Sequence, residues 1–93
     1  MVNVHDRVTR VACAEALFAS TLPTGIPVTS DEFDAVVDEA LRSRGGPRGC
    51  AGEMAAVYGE NPDLAVRRMQ WALRLVAHAY DRTAEGMTKG AQS

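Results

Sequence analysis

Ninety-three residues suffice for one domain and no more. A hydrophobic share of 46% excludes a disordered chain, and aromatics of only 5% imply a core of small side chains around a few large anchors. A net charge of −2 provides no global attraction to nucleic acid or to an anionic membrane, and no apolar run approaches the roughly 20 residues of a membrane span.

The charge is unevenly placed. Asp31, Glu32, Asp34, Asp38 and Glu39 form an acidic block, whereas Arg42, Arg44 and Arg48, and later Arg67, Arg68 and Arg74, form basic ones. Nine of the ten basic residues are arginine, which with so much Ala and Val reads as the codon usage of a GC-rich genome rather than as phosphate binding.

The chain reads as four helices, at about 4–20, 30–44, 48–58 and 62–84. In the first, Val4, Val8, Val11, Phe18 and Leu22 recur at helical spacing, with alanines raising helix propensity. Pro23, Gly25 and Pro27 then force an extended connection. Thr29-Ser30-Asp31-Glu32 fits a capping box, and Val28 with Phe33 fits a hydrophobic staple. Phe33, Val36, Val37, Ala40 and Leu41 give the second helix one apolar face, and Gly45-Gly46 ends it.

Pro47 suits the first turn of the third helix, whose apolar face is Cys50, Met54, Val57 and Tyr58. Gly59 is expected as its left-handed stop. Asn61-Pro62 supplies N-cap and N1 of the fourth helix. There Ala65, Met69, Ala72, Val76 and Ala79 form the main stripe, widened by Leu64, Trp71 and Leu75. Residues 86–93 lack any pattern and are expected as a tail beyond a single domain at 1–85.

Two charges fall on apolar stripes, Glu15 on the first helix and Arg68 on the fourth. An isolated buried charge is costly, so a Glu15–Arg68 ion pair across a helix contact is one expectation. The alternative is that both side chains reach water at the edge of their faces. Cys13 and Cys50 lack metal-ligand spacing and read as small buried hydrophobes.

No nucleophile motif, tuned acid–base pair or phosphate loop is present, so no catalytic, cofactor or metal residue is assigned. The Gly45–Gly49 turn, rich in backbone amides and arginine, reads as a simple loop. The surplus apolar surface of the last helix suggests a non-enzymatic protein acting through protein contacts, as a homodimer or with another protein. Leu64, Arg68, Trp71 and Leu75 are the expected interface, since aromatics and arginine favour interface centres. The alternative is a small DNA-binding regulator of helix-turn-helix type using Arg67, Gln70 and Arg74, against which Glu60 and Asp63 sit where phosphates would lie.

The segments Cys13–Ser20, Arg48–Ala51, Tyr58–Pro62 and Ala65–Ala72 together resemble a group of short all-helical actinobacterial proteins, over roughly residues 11–80. The resemblance implies a bacterial origin and brings no activity, ligand or catalytic residue. The polar N-terminus has no early apolar run, so a cytoplasmic location is expected.

Overall fold

A computed structural model describes the backbone of residues 4–92 and the side-chain surroundings of residues 10–80. It contains four helices, α1 (Val4–Ala19), α2 (Ser30–Arg44), α3 (Pro47–Glu60) and α4 (Pro62–Gln92), with no strand among the described residues. The chain is thus a single small all-α fold. α4 is helical past Ala84. The expected tail at 86–93 and the contributions of Val4 and Val8 concern residues outside those whose side chains are described.

The boundaries follow local chemistry. Thr29 caps α2, its hydroxyl accepting from the Glu32 N–H at 3.2 Å while Glu32 Oε1 accepts from the Thr29 N–H at 2.9 Å. At the other end Gly45 adopts a left-handed conformation (φ 82°), and the N–H groups of Gly45 and Gly46 both donate to the Leu41 carbonyl. The chain then folds back so tightly that a Cβ on Gly49 would run into the Arg44 carbonyl.

Asn61 is the entire connection between α3 and α4. Its N–H donates to Val57 O at 2.8 Å, closing α3, and its Oδ1 accepts from the Leu64 N–H at 3.2 Å, opening α4. Gly59 does not take the expected left-handed conformation and stays within α3, because Asn61 performs the stop. A helix-turn-helix unit uses a turn of three or four residues, so this one-residue junction departs from that geometry.

α1 is the most central helix. Like α3 it packs against all three others, and more extensively, whereas α2 and α4 barely meet. Ala16, Leu17, Phe18 and Ala19 are consecutive and all buried, which a one-faced helix cannot achieve. Val11, expected on the apolar stripe, is 51% exposed, so among the described residues of α1 the buried ones run from Ala14 to Ala19.

Two cores result. A larger one gathers Leu17, Phe33, Trp71, Ala72 and Val76, with Val28 of the staple packed against it. A smaller one joins Ala16 and Ala19 of α1 to Ala40 of α2 and Cys50 of α3. Small side chains at that meeting point let three helices approach closely.

Candidate functional site

The fold presents two surfaces on which charged and apolar groups converge. One is the C-terminal end of α1 with the groove beside it. The other is the outer face of α4.

α1 has no basic residue in its last turn to offset its negative end. Two arginines from other helices supply that charge. Arg68 of α4 donates from Nε to Phe18 O at 2.6 Å and from one terminal nitrogen to Ser20 O at 2.8 Å and Leu17 O at 3.5 Å. Its other terminal nitrogen donates to Thr24 Oγ1 at 2.9 Å. Arg44 of α2 donates from Nε to Ala19 O at 3.1 Å. Guanidinium groups thereby reach four consecutive carbonyls, 17 to 20, at a helix end of the kind that leaves its last acceptors orphaned; Leu17 O also accepts from the Ser20 N–H and hydroxyl.

The Arg68 guanidinium carbon also lies 5.0 Å from the Trp71 ring centre and 5.7 Å from that of Phe18. Burial draws its pKa below the ordinary guanidinium value, and it remains a cation at neutral pH. The expected Glu15–Arg68 ion pair does not form: the Arg68 guanidinium is engaged instead by the carbonyls at the end of α1 and by the Thr24 hydroxyl. Glu15 is half-buried at the edge of α1 near Cys50.

Trp71 belongs to the fold as well. It is only 3% exposed, and its Nε1 donates to Ile26 O at 3.0 Å, fastening the extended 20–29 connection over the core. Leu75 packs against the same core. Of the four expected interface residues, Leu64 alone is open, at 41% exposure. Leu64, Trp71 and Leu75 therefore do not form a second strip. The surplus apolar surface covers α1 and the long connection, which also demand burial.

Beside the α1 end lies an open groove of about 340 Å³, with Thr24, Arg44, Glu53, Val57, Leu64 and Arg68 among its walls. Arg68 serves here as a structural cap, since its nitrogens are occupied by main-chain and hydroxyl acceptors.

The outer face of α4 is different. Val66 and Leu73 are 45% and 50% exposed, seven residues apart and so on one side of the helix. Exposed Gln70 and Ala77 continue that line, and exposed Arg67 and Arg74 flank it. Neither Arg67 nor Arg74 makes a hydrogen bond or ion pair among the described residues. The expected DNA-contact residues Arg67, Gln70 and Arg74 are thus all accessible, along one side of the apolar pair. Sequence periodicity gave Val66 and Leu73 no role. The available signal was that they fall outside the Ala65–Ala72–Ala79 stripe, about 100° round the helix from it.

Both cysteines are free thiols. Burial pushes each above its ordinary pKa. At Cys50 nearby Arg44 opposes this while Glu15 and Glu53 add to it, and at Cys13 a hydrogen bond with Tyr80 opposes it while Asp34 adds to it. No group of three potential metal ligands occurs among the described residues, nor is any described helix long and apolar enough to cross a membrane.

Compared with models of known protein families, with curated proteins and with solved structures, this chain matches none of them.

Proposed function

We propose that this chain is a non-enzymatic interaction module that binds protein through the outer face of α4. The observation that carries this reading is the pair Val66 and Leu73, half exposed on a well-formed helix whose opposite side holds the core. Two large aliphatic side chains one heptad apart, rimmed by Gln70, Arg67 and Arg74, have the make-up of a small contact surface with an apolar centre and a polar edge. The contact surface is thereby moved from the inner strip of Leu64, Arg68, Trp71 and Leu75 to the opposite side of the same helix.

The experiment is site-specific photo-crosslinking in the native host, with a benzophenone amino acid replacing Gln70. The expected result is a discrete protein adduct that disappears on Leu73→Asp. Absence of any protein adduct, or adducts indifferent to Leu73→Asp, overturns the reading.

DNA binding is the second reading, supported by the accessibility of Arg67, Gln70 and Arg74 on one helix. Real DNA binding weakens steeply with salt. A gel shift that is lost at high salt and on Arg67→Ala/Arg74→Ala would favour it over protein contact.

A further inference from the structure

We propose that the partner of the α4 outer face is a second copy of this chain, which receives the Val66–Leu73 ridge in an acid-rimmed groove along α2. The proposal rests on the reading of that face as a contact surface, and it adds the partner and the surface that meets it.

The groove has a volume of about 530 Å³. Its apolar lining comes from Cys13 of α1 and from Phe33, Val37 and Leu41 of α2. Asp31, Asp34 and Asp38 stand along its rim. Asp31 and Asp34 have no hydrogen-bond or ion-pair partner among the described residues. Among the described residues Asp38 pairs only with Arg42 at 3.3 Å, an exposed i,i+4 contact that exchanges readily.

Ridge and groove match in sign, chemistry and spacing. The ridge is apolar with a basic flank, and the groove is apolar with an acidic rim. Arg67 and Arg74 are separated by seven residues, as are Asp31 and Asp38. Seven residues of α-helix advance about 10.5 Å. Two helices laid side by side therefore bring both arginines opposite both aspartates in one register, with Val66 and Leu73 over the groove floor. Like charges do not meet, and a net charge of only −2 leaves little general repulsion between copies.

The two surfaces also adjoin. Tyr80, less than one helical turn beyond Ala77, contacts the thiol of Cys13, which lines the groove and lies near Asp34. Two copies related by a two-fold axis would each place a ridge in the other's groove. That arrangement makes the contact twice and leaves no unfilled surface, whereas a one-sided contact would propagate into chains.

Charge-reversal complementation on the full 93-residue chain tests this, read by sedimentation equilibrium. Wild type is expected to dimerise. Arg67→Glu/Arg74→Glu alone and Asp31→Lys/Asp38→Lys alone are each expected to weaken the dimer at least about tenfold, because each sets like charges face to face. An equimolar mixture is expected to restore a dimer containing one copy of each variant, since reversed ridge then meets reversed groove. Circular dichroism establishes that each variant is folded, and Asp31→Asn/Asp38→Asn, expected to weaken without repelling, replaces the lysine pair if that pair unfolds. A wild type that stays monomeric at millimolar concentration overturns the proposal, as does a dimer indifferent to both reversals or a mixture of folded variants that fails to pair. A monomer that still yields a Leu73-dependent adduct with another protein at Gln70 sinks the self-pairing and leaves the contact surface standing. A monomer with no such adduct removes both.

Discussion

The two sides of α4 use the same residue types for opposite purposes. On the inner side, Arg68 is locked between Trp71 and the carbonyls that end α1. On the outer side, Arg67 and Arg74 stand in solvent beside exposed Val66 and Leu73. Composition alone made the inner set, with its tryptophan and arginine, resemble an interface. What separates the two is the acceptor supply. Trp71 and Arg68 carry N–H groups that must be satisfied when buried, and the Ile26 carbonyl and the end of α1 provide those acceptors within one chain.

The largest effect expected on this comparison is at Trp71. Trp71→Ala should cost about 3–5 kcal/mol, enough to unfold much of so small a domain, rather than yield a folded monomer. Chemical denaturation followed by far-UV circular dichroism measures this, and a stable Trp71→Ala variant would break the assignment of the inner face to the core. Arg68→Met comes next, at about 3 kcal/mol. It removes charged hydrogen bonds to half-buried carbonyls while keeping the side-chain stem. Arg68→Lys should recover only part of that, because one ammonium group cannot reach as many acceptors as the planar fork.

Trp71→Phe sharpens the inner account. It keeps most of the buried ring and deletes the bond to Ile26 O, so a loss of about 1 kcal/mol beyond the change in ring size is expected. Hydrogen exchange should show increased opening of the 20–29 connection in that variant. On the outer side, Leu73→Asp should change stability by less than about 0.5 kcal/mol. A large loss there would mean that Leu73 belongs to the fold.

The smallest effect is alkaline. Burial raises the Cys50 thiol pKa, so the unfolded chain releases that proton first as pH climbs through the ordinary thiol range. The unfolded state then binds fewer protons than the folded one, and stability falls as pH rises. Melting temperatures from pH 8 to 10 should therefore decline less in Cys50→Ala than in wild type.

Much of the helical framework was legible because its signals are local. The Thr29–Glu32 box, the Gly45 stop, Pro47 at N1 and Asn61-Pro62 each act within a few residues, and all four occur where the sequence places them. Gly59 misled because Asn61, two residues later, offers a competing stop that also caps the next helix. The order of packing was not legible. Alanines 14, 16 and 19 look like propensity fillers in isolation, yet they are the buried contact points of the central helix. Nor could the sequence pair Arg68 with its acceptors, since all but the Thr24 hydroxyl are main-chain carbonyls about fifty positions away that no side chain advertises. The missing basic residue in the last turn of α1 was the one available hint that a distant cation would be needed.

Neighbouring arginines on α4 thus act differently, Arg68 serving the fold and Arg67 the surface. Thermal melts of Arg68→Met and Arg67→Met under identical conditions test it most directly. A fall of more than about 10 °C is expected for Arg68→Met and a change within about 3 °C for Arg67→Met. Equal shifts in the two variants, or a larger one for Arg67→Met, would contradict it.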